Sequence, residues 1–273
     1  MRIGHYQVFA RSGDFEANLA KFAEGMRRAD RDRVEIVCFP ESFLTGYATS
    51  AEQARTQGIA ADSTQMMKAI DCTARFEATA IVGFGEKRGE DYYNSAAILH
   101  KGHLLGIYRK CTAYERFEKQ GREFPVFGRN GVTFGVIICS DGGYIEPARI
   151  LAVKGAKIIF APHFNVINKE HLLEHYRTVR SDHTARAVEN SVYFVRGNNY
   201  VPKDATKNDG VGYGDSYIVD PHGEIVVRSR SFEEDFIFAD INLSLAQNHA
   251  WKLGRSLWSH REFGAILAAA AGK

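Results

Sequence analysis

Paired cysteines are missing from this 273-residue sequence: its four thiols, Cys38, Cys72, Cys111 and Cys139, include no Cys-x-x-Cys pair. That spacing argues against a zinc ribbon and, with no secretory segment ahead of it, against a disulfide framework, so a reducing, cytoplasmic setting is expected. No segment approaches the roughly 18 apolar residues that span a bilayer, and the stretch from Met1 to Ala10 holds no long apolar run. A membrane is therefore not an expected partner. An excess of one charge is missing too, since the formal net charge is +2 and Lys and Arg are interspersed with Asp and Glu. No basic run exists to track phosphates, which removes nucleic acid from the expected partners. No Pro- or Ser-rich linker interrupts the chain, so residues 1–273 are read as a single domain. What is present is 45% hydrophobic and 25% charged residues, the composition of a globular protein with ample material for a core.

Periodicity divides that material into alternating elements. Ile3 to Ala10 reads as a strand, Asp14 to Arg28 as a helix with Phe15, Leu19, Phe22 and Met26 on one face, and Val34 to Phe39 as a buried strand. Ser63 to Phe76 predicts a second helix and Thr79 to Phe84 a third strand, followed by strands Tyr92 to Leu99 and Leu104 to Tyr108 around a hairpin turn. From Val132 the series returns, with strand Thr133 to Ile138, a helix through Leu151, strand Ala156 to Phe160 and a long helix from His171 to Glu189. Strands Val192 to Arg196, Gly214 to Val219, Glu224 to Val227 and Phe236 to Ile241 close it. Strand and helix alternate in both halves, which predicts an α/β fold of two packed sheets with helices outside, a four-layer α-β-β-α sandwich.

Three segments deliver a reactive side chain where a buried strand ends: Phe39-Pro-Glu41, Tyr108-Arg-Lys110 and Ile137-Ile-Cys139-Ser-Asp-Gly-Gly-Tyr-Ile-Glu146. Ligands of open α/β sheets bind at the carboxyl ends of strands, so a Glu, a Lys and a Cys are expected to meet in one pocket. An amide carbonyl is a poor electrophile, and a thiol of pKa near 8.5 attacks it well only when a base or a nearby cation favours the thiolate. Glu41 is the candidate base and Lys110 the candidate cation. The Lys110 ammonium and the backbone N–H of Ser140 are candidates to hold the oxyanion. The glycines after Cys139 suit a sharp elbow that presents a nucleophile. His163 and Asn165, at the end of the strand from Ala156, are candidate pocket residues. Asp141 and Glu146 are read as structural, steadying the elbow and pairing with Arg149 on the following helix.

These three segments, and the closing stretch Gly214-Asp-Ser-Tyr-Ile-Val-Asp-Pro-His-Gly223, resemble the signature of the nitrilase superfamily of carbon–nitrogen hydrolases. The resemblance implies an αββα sandwich that pairs into larger homo-oligomers, a thioester intermediate and no cofactor. It carries the family's Glu, Lys and Cys onto Glu41, Lys110 and Cys139. It further implies a second glutamate after the lysine, matched by Glu118 with Glu123 as the fallback. True nitrilases usually read Cys-Trp-Glu where this chain has Cys139-Ser140-Asp141, so an amide is the expected substrate. Hydrolysis of a small amide, with release of ammonia or an amine, is the expected reaction, and an N-carbamoyl compound is the alternative substrate. Ile145 departs from the proline usual before Glu146, and Cys111-Thr-Ala-Tyr114 departs from the His-Leu that often follows the lysine.

Readings of other classes stand beside this one. His171-Leu-Leu-Glu174-His175 satisfies the H-x-x-E-H pattern of inverted zinc peptidases, which would make the chain a metallohydrolase. A catalytically silent binding module of the same fold would normally lack Glu41, Lys110 or Cys139. No metal is expected on the preferred reading. The tail from about residue 250 to 273, with Trp251, Trp258, Phe263 and an Ala-rich end, is expected to pack at an oligomer interface.

Overall fold

The computed structural model describes residues 1–206, 209–246 and 259–271. Its first sheet has six strands in the order β15-β1-β2-β3-β4-β5. These are β1 (Arg2–Gln7), β2 (Ile36–Cys38), β3 (Thr79–Arg88), β4 (Asp91–His100), β5 (His103–Arg109) and β15 (Asp235–Asp240). The second sheet, β14-β13-β10-β8-β7-β6, contains β6 (Val126–Arg129), β7 (Val132–Val136), β8 (Ile158–Pro162), β10 (Tyr193–Gly197), β13 (Tyr217–Val219) and β14 (Ile225–Arg228). A small sheet joins β9 (Ile167–Asn168), β11 (Tyr200–Val201) and β12 (Gly210–Tyr213). The helices are α1 (Phe15–Arg31), α2 (Ala51–Gln57), α3 (Thr64–Cys72), α4 (Ile145–Val153), α5 (Leu172–Asn190) and α6 (His260–Ala270).

The chain is the expected four-layer α-β-β-α sandwich, because each central strand is apolar on both faces. Residues Ile36 and Cys38 of β2 enter the seam between the sheets, while Val37 and Phe39 turn outward to Phe22 and Met26 of α1. In β8, Ile158 and Phe160 meet that seam from the other side, and Ile159 and Ala161 face Ala148 and Leu151 of α4 and Ala187 of α5. Such burial is worth roughly 1.5–3 kcal/mol for each large side chain, and it pins the register, since a one-residue slip would exchange the two faces. Strands β1, β2 and β3 are parallel, as are β7, β8 and β10. Their carboxyl ends, and that of β5, open on one edge.

Several boundaries differ from expectation. Ser63 is the N-cap of α3, its hydroxyl accepting from Met66 N, and the helix stops at Cys72 rather than running to Phe76. The helix expected after Cys139 and Gly142-Gly143 is α4, running two residues past Leu151, and Cys139–Gly143 form a 3-10 turn ahead of it. The expected strand from Gly214 to Val219 begins only at Tyr217, because Gly214 and Asp215 both take positive φ. The Glu146–Arg149 pair does not form; Arg149 instead donates to the carbonyl of Glu189 at 3.1 Å, tying α4 to α5. In the tail, Trp251 and Trp258 lie outside the described residues, while α6 is exposed along its length.

Candidate active site

The site is assembled at the shared open edge, on residues with costly backbones. Cys139 adopts φ 47° and Ser42, next to Glu41, φ 52°. Non-glycine residues visit this left-handed region rarely, and the strain persists only where the surroundings enforce it. At Cys139 the enforcing group is Asp141, fully buried. Its carboxylate accepts from Ile138 N at 2.9 Å, Thr112 N at 2.9 Å and Tyr108 Oη at 2.7 Å. It also accepts from the hydroxyl of Thr112 and the thiol of Cys111. Asp141 is thus a strut beneath the elbow, joining it to the segment that follows β5. At Glu41 the enforcing feature is Gly83: a Cβ there would come within 2.4 Å of Pro40 O and Ser42 N.

Glu41 is 1% exposed and Lys110 2%. One carboxylate oxygen of Glu41, Oε1, accepts from Lys110 Nζ at 2.8 Å and from Asn94 Nδ2 at 2.8 Å. The other, Oε2, accepts from the backbone N–H of Phe164 at 2.7 Å. Burial alone would lower the Lys110 pKa, but the neighbouring Glu41 and Cys139 charges reverse this and raise it above the ordinary lysine value, so the ammonium persists. Cys139 faces the same cavity as both. Burial, and then the Glu41 carboxylate, push its thiol up to about 12, against the opposing pull of Lys110 and Arg196. Near neutral pH the sulfur therefore holds its proton until a base removes it.

Glu118 is buried, accepting from Tyr114 N at 3.0 Å and, at 3.4 Å, from the same Asn94 amide that binds Glu41. Burial and then the balance between Lys110 and Glu41 leave its pKa raised. The structure brings Glu118 beside the Glu41–Lys110 pair, whereas Glu123 lines a separate surface hollow with Arg109 and Arg122. His163 and Ser140 line the cavity. The His163 ring is buried against His183, centroids 4.9 Å apart, and burial holds both imidazoles well below their usual pKa and neutral. Asn165 Nδ2 lies 3.7 Å from Cys139 Sγ.

The cavity encloses about 530 Å³. Tyr47 and Phe164 stack on one wall with centroids 4.8 Å apart, and Val166, Ile167 and Val179 extend the apolar lining. Helix α5 contributes His175, Thr178 and Asp182. The zinc motif does not assemble: the His171 side chain is 62% exposed beside Glu170, whereas His175 turns into the cavity. Among the described residues no three His, Cys, Asp or Glu side chains form a metal-binding group.

Two participants escaped the sequence reading. Asn94 sits in the apolar run of β4 and Arg196 in that of β10, and a polar or charged residue in the middle of a buried strand was the available signal.

A family model described as carbon-nitrogen hydrolase matches residues 2–250. A glutamine-dependent NAD(+) synthetase of Thermotoga maritima is 29% identical over 258 residues, covering 89% of this chain and 42% of its own, so the chain spans less than half of that relative. A nitrilase of Pyrococcus abyssi is 27% identical, covering 91% of this chain and 92% of its own. Among solved structures, an amidase from Nesterenkonia sp. superposes with a TM-score of 0.73 at 22% identity, over 94% of this chain and 96% of that one. In a variant of that amidase, the acetamide moiety of fluoroacetamide is covalently added at the active-site cysteine.

Proposed function

Because the chain belongs to the carbon-nitrogen hydrolase family and hydrolyses a carbon–nitrogen bond, we propose that its substrate is a small amide, cleaved through a thioester on Cys139. The observation that carries this reading is the convergence of Glu41, Lys110 and Cys139 on one cavity, with the first two in direct contact at 2.8 Å. Glu41 takes the thiol proton as Sγ forms its bond to the carbonyl carbon. The oxyanion is held by the Lys110 ammonium and the Ser140 N–H; losing one such donor costs about 10²–10³ in rate. On collapse the carbon–nitrogen bond breaks, Glu41 returns the proton to the nitrogen, and ammonia or an amine departs. Water then attacks the thioester, gives a proton to Glu41, and the acid leaves as the proton passes to the sulfur. Lys110 stays protonated throughout.

Cavity charge narrows the substrate. Among the described lining residues Lys110 is the sole Lys or Arg, already bonded to Glu41, while Glu115 and Asp182 add negative charge. A substrate bearing a free carboxylate would lack a counter-charge, whereas a neutral or amine-bearing amide would not be repelled. This favours, as a second reading, an N-carbamoyl amine over a half-amide of a dicarboxylic acid. Ammonia release from aliphatic amides, amine-bearing amides, N-carbamoyl amines and half-amides, each paired with the matching nitrile, tests the assignment. Neutral or amine-bearing amides and carbamoyl compounds should turn over fastest. Preference for nitriles, or for half-amides, would overturn it. Iodoacetamide should abolish activity while a strong chelator leaves it intact; loss on chelation with restoration by zinc would reinstate a metal mechanism.

A further inference from the structure

Arg196 is fully buried in β10, and among the described residues no carboxylate lies within ion-pair distance of it. Asp215 commits its side chain to Arg180 and Arg228 and offers Arg196 only its backbone carbonyl, at 3.0 Å from Nε. The remaining contacts are neutral: Nη2 donates to Asn165 Oδ1 at 2.9 Å and to Tyr213 Oη at 2.9 Å, the rings of Tyr213 and Tyr217 flank the guanidinium, and among the described residues Nη1 has no partner. Burying an uncompensated cation destabilises the fold, so a stability role is a poor account of it.

The geometry gives a better one. A guanidinium has only donors, so it must meet the oxygen of the Asn165 amide and never its nitrogen. That fixes the amide orientation, and the fixed Nδ2 then points at Cys139 Sγ, 3.7 Å away. The Asn165 backbone is clamped as well, its N–H donating to Asn199 Oδ1 at 2.8 Å. We propose that Arg196 is a positioning residue for the nucleophile: through Asn165 it aims an N–H at the Cys139 sulfur, and its unneutralised charge stabilises the thiolate as Glu41 removes the proton. The planar fork matters as well as the charge, because Lys offers a point charge without the preorganised donors. This inference rests on Cys139 being the nucleophile.

Its test is the pH dependence of Cys139 alkylation by iodoacetamide, located by peptide mass spectrometry, in the wild type, Arg196→Met, Arg196→Lys and Asn165→Ala, beside kcat, KM and Tm. Arg196→Met should displace the alkylation profile to higher pH, with about tenfold slower alkylation at a given pH for each pKa unit of displacement. It should lower kcat more than it raises KM. Arg196→Lys should restore the profile but not kcat. If Arg196→Met fails to fold, Arg196→Lys and Asn165→Ala carry the test: their losses in kcat should be far from multiplicative in the double variant, since both break one relay. A folded Arg196→Met with the wild-type profile, or multiplicative losses in the double variant, would overturn the inference. Wild-type enzyme inactivated without alkylation of Cys139 would instead overturn the nucleophile reading on which it stands.

Discussion

Replacing Glu41 by Gln keeps the acceptor for Lys110 and removes the proposed base. Positioned proton transfer contributes about 10²–10⁴, and a thiol held up to about 12 gives no compensating thiolate, so kcat should fall at least that far. Glu118→Gln should be milder, because Glu118 meets Glu41 only through the shared Asn94 amide. Steady-state kinetics of the pair decides it: near-normal turnover in Glu41→Gln would pass the base role to Glu118. Glu41, Lys110 and Cys139 were legible in the sequence because each follows an apolar strand and each is a reactive type. Asn94 and Arg196 were not singled out because strand periodicity reports which residues are buried, not which loop side chains each meets at the strand ends, Glu41 and Glu118 for Asn94 and Asn165 for Arg196.

The elbow after β7 is the element on which the site depends, and Asp141 holds it. Removing a group that satisfies buried backbone donors costs about 1–3 kcal/mol for each donor left bare. Asp141→Ala, which strands Ile138 N and Thr112 N, should therefore lower stability by on the order of 3 kcal/mol and activity with it. Denaturant unfolding measures the first; an unchanged midpoint would mean that the elbow is held by other contacts. Gly83→Ala tests the companion turn, and should impair catalysis by displacing Glu41 even where the fold survives. At this scale strands β2, β3, β8 and β10 were readable, since two buried faces set each in a largely apolar run, which for the three-residue β2 extends from Val34 to Phe39. Strands β6, β9, β11 and β12 were missed: they are two to four residues long and carry Gly or polar side chains, too short for a period to register. Helix α2 was missed as well, because only Ala54 of it is buried and an exposed helix has no apolar stripe.

For the whole molecule, buried imidazoles set the response to acid. His5, His163 and His183 are buried, and desolvation first, with Arg196 adding to it, lowers each pKa, that of His5 to about 4. Below about pH 6.5 the unfolded chain binds protons that the folded chain refuses. Stability is then complete above that pH and falls as the pH drops toward 4, by up to about 1.4 kcal/mol per unit for each histidine that stays neutral. Tm measured from pH 7 to 4 should decline steadily, and a flat profile would contradict the burial of these rings. Self-association remains the expectation. Tyr144, Ile145 and Val153 near or on α4, with Leu173 on α5, expose apolar surface that a second copy would cover, so light scattering should give at least twice the monomer mass.

On the proposed mechanism Cys139 carries the acyl group between the two halves of the reaction. Mixing the enzyme, and separately Glu41→Gln, with a turned-over amide, quenching in acid and mapping peptides by mass spectrometry tests it directly. A mass increment equal to the acyl group is expected, confined to the peptide containing Cys139 and absent in Cys139→Ala, which should be inactive. Turnover by Cys139→Ala, or an acyl group found on any other residue, would contradict it.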